Sequence, residues 1–264
     1  MLHEAKVTVE FNLNREVVQA HIRDALGRGY KEFTQSDTVR AVSIVAGGPS
    51  VKDTWPRIRH TPIIACNGAA RFLMNKGVVA NYGIVADGRP EIVDVVRDAP
   101  VSIPWLVASQ CSPGVFDALD EARVTLWHMD NGFGFERPVL EEMRPGNWLM
   151  IGGGSTVGLR AINVAYLMGA REFHLYGFDS CFVEGEHHCY VNAVTTDDDE
   201  ALNVPIFVEG RKFTCAPWMV SQAQEYQRLV DMLHDCTFRV HGDGLISWIA
   251  KHLDAKKGIF HHDD

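Results

Sequence analysis

The chain reads as an α/β protein: a Rossmann-like, mostly parallel sheet with helices on both faces and an irregular lid. From residue 41 onward, short apolar runs alternate with segments long enough for a helix, as strands joined by helical crossovers do. Two of those runs end in glycine-rich turns, Ala46-Gly47-Gly48-Pro49-Ser50 and Gly152-Gly153-Gly154-Ser155-Thr156. One long stretch, 180–215, drops the rhythm, which inside a compact fold marks a lid or binding loop.

In chain order, Val17, Val18, Ile22, Ala25 and Leu26 recur at helical spacing and predict a helix over 15–28. It belongs to an N-terminal helical extension, 1–40, that packs on the sheet from outside. Strands are expected at Val42–Ala46, Ile63–Cys66, Tyr82–Ala86, Trp105–Ala108, Val124–Trp127, Trp148–Ile151, Phe173–Tyr176 and Phe238–Val240. The helix over 156–168 is apolar almost all round, so it should be deeply buried, and Gly169 stops it. A long helix follows at 216–234, with Pro217 near its start, and a short one at 245–253. Residues 180–215 hold Gly185, two adjacent histidines, the acidic run Asp197-Asp198-Asp199-Glu200 and Pro205. No repeat, low-complexity tract or linker divides the chain, so 1–264 is expected to be a single domain.

Composition narrows the function classes. Apolar residues make up 46% and charged residues 22%, as in soluble globular proteins. The net charge of −9 argues against nucleic acid and anionic lipid as partners. Six scattered cysteines without a C-x-x-C pair suggest reduced thiols in a cytoplasmic protein. The start, Met1-Leu2-His3-Glu4, lacks a signal-peptide pattern, and no apolar run approaches the ~18 residues of a membrane span.

The glycine turns carry the main chemical signal. A strand that ends in glycines and re-enters a helix leaves backbone N–H groups and a helix dipole to meet an anion. Gly47, Gly48, Pro49 and Ser50 could cradle phosphate, and a plain tight turn is the alternative. The first turn is neither a Walker A loop nor G-x-G-x-x-G. Gly153, Gly154, Ser155 and Thr156 make the stronger case, because one glycine would suffice for a turn; either hydroxyl could instead cap the helix. Asn67 and Asp87 follow strands, where parallel sheets place ligands. Asn67 could read a base or ribose, and Asp87 a hydroxyl or Mg²⁺; turn and cap roles compete. Asp179 ends another strand and could orient a hydroxyl, hold a metal or fix the loop that follows. His187 and His188 could supply a general base from the lid, with two plain loop histidines as the rival. Their spacing fits no standard zinc pattern. The acidic run at 197–200 could gather Mg²⁺ or be a solvated loop; His261 and His262 carry no specific role.

Together, Ala46-Gly-Gly-Pro-Ser50, Ala65-Cys-Asn-Gly68, Ala86-Asp87, Gly152-Gly-Gly-Ser155 and His174-Leu-Tyr-Gly-Phe-Asp179 resemble the MptE-like family of 6-hydroxymethylpterin diphosphokinases. The resemblance covers roughly 41–180 and fades toward 250. The motif order is also similar to small bacterial sialyltransferases that use CMP-sialic acid, and flagellin-modifying glycosyltransferases carry such a domain too. The sialyltransferase resemblance implies nucleotide contacts from Gly48, Pro49, Ser50 and Asn67, a second turn at Gly154-Ser155, and a base at His188 or, alternatively, His187, with Tyr190 close behind.

The resulting expectation is a nucleotide-dependent transferase. As a diphosphokinase it would bind ATP and Mg²⁺, with Asp87 and Asp179 holding the metal or orienting a pterin hydroxyl. As a glycosyltransferase it would need no cofactor, take a CMP-sugar and a small-molecule or glycan acceptor, and use His188 as base. A non-catalytic nucleotide-binding module is the third reading. Oligomeric state is open, a homo-oligomer included.

Overall fold

A computed structural model describes residues 13–59, 62–97, 99–100, 102–119, 123–190 and 203–256, the side chains of the last turn of the final helix excepted. The acidic run at 197–200 and the terminal His261 and His262 lie outside these residues.

The described elements, in order, are α1 (Arg15–Gly27), β1 (Lys31–Glu32), β2 (Ala41–Val45), α2 (Val51–Thr54), β3 (Ile63–Cys66), α3 (Ala69–Asn75), β4 (Tyr82–Val85), α4 (Val93–Val96), β5 (Trp105–Ala108), α5 (Pro113–Ala118), β6 (Val124–Met129), α6 (Arg137–Met143), β7 (Met150–Ile151), α7 (Val157–Leu167), β8 (Glu172–Tyr176), β9 (Val204–Val208), β10 (Arg211–Cys215), α8 (Pro217–Met232), β11 (Thr237–His241) and α9 (Leu245–Lys256). Nine strands form one sheet in the order β1-β6-β5-β4-β3-β2-β8-β11, with β7 pairing to β6. Every pairing in it is parallel. The central strands are buried along their length, with Val42, Ile44, Ile64, Ala65, Ile84 and Val107 at or near zero exposure, which is why they read as unbroken apolar runs.

The order places β2 between β3 and β8. The chain leaves β2 toward β3 and returns through α7 to β8 on the other flank. Such a reversal opens a crevice at the carboxyl ends of the strands, where open α/β sheets bind ligands. Both glycine turns end strands on that edge. The helix that follows the second turn reaches the first: a Cβ added at Gly158, in the first turn of α7, would lie 3.4 Å from Ala46 and 3.2 Å from Phe178.

Two local differences from the expected pattern stand out. The N-terminal extension supplies a sheet strand as well as a helix, since β1 pairs with β6 at the edge. The irregular lid contains an antiparallel hairpin, β9–β10, closed by Glu209-Gly210 with both residues at positive φ. That is the geometry of a two-residue hairpin turn matched to strand twist.

Candidate active site

A cleft of about 1140 Å³ runs along the carboxyl ends of the strands. Gly47, Gly48, Asn67, Asp87, Gly153, Gly154, Ser155, Thr156, Asp179, His187 and His188 all line it. Pro49 and Ser50 sit behind its wall, and a Cβ at Gly242 would lie 2.5 Å from the Ser50 hydroxyl.

The first glycine turn departs from the phosphate cradle its sequence suggests. The N–H of Gly48 donates to the Gly177 carbonyl at 3.0 Å, and the N–H of Ser50 donates to Asp179 Oδ2 at 2.9 Å. A protein carboxylate, 2% exposed, therefore takes an N–H that a phosphate was expected to use. Burial pushes the Asp179 carboxyl above its ordinary range, against the pull of the Ser50 hydrogen bond. The missing side chain of Gly47 has a different use. His188 and Tyr190 rest on this turn, and a Cβ there would come within 2.9 Å of His188 Nδ1 and 3.0 Å of the Tyr190 hydroxyl. Gly68 makes the same allowance for the Tyr190 ring, 2.6 Å from its added Cβ.

These contacts also fix the histidine. His188 Nδ1 lies 3.3 Å from the Gly47 carbonyl oxygen, which can only accept, so Nδ1 carries a proton and donates it there. The imidazole stacks on Tyr190, with centroids 5.3 Å apart and planes 9° from parallel. His187 is buried, edge-on to Trp218 at 6.0 Å.

The second turn keeps the expected strained backbone, with Gly153 at φ 122° and Gly154 at φ 81°, conformations that favour glycine. Its two hydroxyls divide their roles. Thr156 caps α7, accepting from the Leu159 N–H at 3.3 Å. Ser155 donates its N–H (2.8 Å) and its hydroxyl (2.7 Å) to Oε2 of Glu225, on α8.

Asn67 adopts φ 49°, a left-handed conformation that asparagine tolerates, so it has a turn role. Its Oδ1 is also buried with no hydrogen-bond partner among the described residues. Asp87 is held by Arg89, whose guanidinium donates to both carboxylate oxygens at 2.7–3.2 Å and whose N–H adds a bond at 2.9 Å. Among the described residues no three His, Cys, Asp or Glu side chains converge as a metal site. Mg²⁺ wants ionised, accessible oxygens. Asp87 is engaged by Arg89 and Asp179 accepts the Ser50 N–H, so both carboxylates already have protein partners.

Arg160, on α7, is a cleft residue that the sequence reading passed over. It is 7% exposed, and its Nη1 donates to the carbonyls of Asp130 (2.8 Å) and Ile151 (3.4 Å). Burial lowers its pKa to about 10, opposed by the charges of Glu136, Glu225 and Asp130. It lies in a segment apolar enough to read as pure core. Glu225 was missed because it comes 70 residues after Ser155.

The molecule is thus an α/β protein of the Rossmann-like class, with a cleft at its sheet reversal. More narrowly, the chain belongs to the MptE-like family: the family model described as 6-hydroxymethylpterin diphosphokinase MptE-like matches residues 18–185. Its fold is similar to the MAf glycosyltransferase of Magnetospirillum magneticum AMB-1, at TM-score 0.63 and 16% identity over 96% of this chain. The chain spans 43% of that larger chain. More distant matches are two Campylobacter jejuni sialyltransferases. CstII, solved with the substrate analogue cytidine-5'-monophosphate, has TM-score 0.43 and 12% identity over 80% of this chain and 84% of its own. Cst-I, a monofunctional alpha-2,3-sialyltransferase, has TM-score 0.38 and 11% identity over 88% and 86%. No curated protein matches the sequence. No helix among the described residues is long and apolar enough to cross a membrane.

Proposed function

We propose that this cleft transfers a sugar from a nucleotide-activated donor to an acceptor hydroxyl. The observation that carries the reading is His188, held on the first glycine turn by its Nδ1 bond to the Gly47 carbonyl, in the cleft that both turns share. Nε2 takes the acceptor proton as that oxygen attacks the anomeric carbon. The bond from that carbon to the phosphate oxygen breaks, and its electron pair leaves with the nucleotide. The second turn, at the N-terminus of α7, meets the charge on the leaving phosphate. Asn67 Oδ1 accepts a hydrogen bond from the donor, and Asp179 positions the first turn through Ser50. The fold shared with a glycosyltransferase agrees with this reading.

The family's own description favours a second reading, ATP-dependent diphosphoryl transfer to a pterin, in which Mg²⁺ would supply charge stabilisation. Thermal-shift measurements separate the two. Stabilisation by CMP without metal supports sugar transfer, and stabilisation by ATP only with Mg²⁺ supports the kinase. His188→Ala is expected to cut sugar transfer by about 10²–10⁴-fold while sparing CMP binding. Unchanged turnover would remove His188 from the mechanism.

A further inference from the structure

The second glycine turn is already occupied by an anion, and that anion belongs to the protein. Glu225 Oε2 takes both the N–H and the hydroxyl of Ser155, at 2.8 and 2.7 Å. A Cβ added at Gly154 would stand 3.2 Å from the same oxygen. Beside it the buried Arg160 feels the Glu225 charge, yet among the described residues it forms no ion pair within 4.0 Å, only bonds to carbonyls. Glu136, Glu225 and Asp130 act on this guanidinium from beyond 4.0 Å, and among the described residues its Nε and Nη2 make no hydrogen bond, so donors remain for an anion in the cleft it lines.

We infer that the Ser155–Arg160 end of the cleft is a seat for a ligand anion, a phosphate or a carboxylate, and that Glu225 fills it until the ligand displaces it. The inference rests on the proposed use of this cleft and adds an entry step to it. Glu225 is half-buried on α8, one helical stripe with Trp218 and Gln222 at i, i+4 and i+7. Trp218 packs edge-on to His187, and Gln222 Oε1 accepts from the Ser180 hydroxyl at 3.2 Å. The seat discriminates by charge: a neutral ligand cannot repay the lost Glu225 contacts, whereas an anion recovers them and gains Arg160.

The test is calorimetry on the whole chain, wild type against Glu225→Gln and Ser155→Ala, with inorganic pyrophosphate, CMP and N-acetylneuraminic acid as probes. Glu225→Gln is expected to bind the anion that uses the seat about tenfold more tightly, and Ser155→Ala more weakly than wild type. Tightening confined to pyrophosphate and CMP assigns the seat to phosphate, and tightening confined to the sugar acid assigns it to carboxylate. Equal or weaker binding by a folded Glu225→Gln protein overturns the inference while CMP binding by wild type leaves the proposed function standing. Tighter pyrophosphate binding with no sugar transfer by any form upholds the seat and removes the function. No binding to any form overturns both.

Discussion

Within the first glycine turn, the Asp179 carboxylate takes the Ser50 N–H that the sequence had promised to a phosphate. The turn therefore serves as a platform for Asp179, His188 and Tyr190, and the proposed reading puts the phosphate at the second turn. Glu136 shows what burial does to a carboxylate nearby. It is fully buried, which pushes its pKa up to about 7, and the charge of Asp130 adds to the shift. A folded pKa above the ordinary value of 4.5 means that the folded chain binds more protons than the unfolded one. Its contribution to stability is present below that value and is lost as pH rises toward about 7. Glu136→Gln removes that loss. In urea unfolding the variant should gain roughly 3 kcal/mol on wild type at about pH 8 and little at about pH 4.5. An equal difference at both pH values would show that Glu136 is ionised in the fold. The residue types at the cleft were legible from strand ends: Asn67, Asp87 and Asp179 all fall there. Their partners were not, because Arg89, Glu225 and the Gly47 carbonyl are assigned by tertiary packing.

At the scale of elements, the buried strands were read closely, since a strand buried on both faces has no polar position to blur it. Ile63–Cys66 and Trp105–Ala108 have the expected bounds. Trp148 was taken as strand, but its indole donates to Glu141 at 3.0 Å and its ring lies under Arg137, so it packs on α6 and β7 begins at Met150. The β9–β10 hairpin escaped because Pro205 argues against a strand and Glu209 is not a usual first residue for a turn at positive φ. Gly83 in β4 explains how a large residue fits beside it: an added Cβ would lie 2.5 Å from the ring of fully buried Trp105 on β5. Gly83→Val should therefore cost about 1–3 kcal/mol and lower Tm with no change in the cleft residues. Unaltered stability would mean that the β4–β5 packing is looser than described.

Across the whole molecule, the strand order assembles one cleft from segments far apart in sequence. β7 pairs with β6, and α7 carries the chain from there back toward β2, so the turns after β2 and β7 line one cleft with the lid histidines and part of α8. This is the level at which the sequence reading was most useful, because an alternation of strands and helices with two glycine turns leaves few places for a ligand. What it could not supply was occupancy: that one turn is filled by Asp179 and the other by Glu225. The central claim is that a nucleotide enters this cleft with its phosphate at the second turn. A crystal structure of the chain soaked with CMP tests it most directly. The account predicts the phosphate on the Ser155 N–H, Glu225 turned away, and the nucleoside against Asn67. A nucleotide bound elsewhere, or in the cleft with Glu225 still on Ser155, would contradict it.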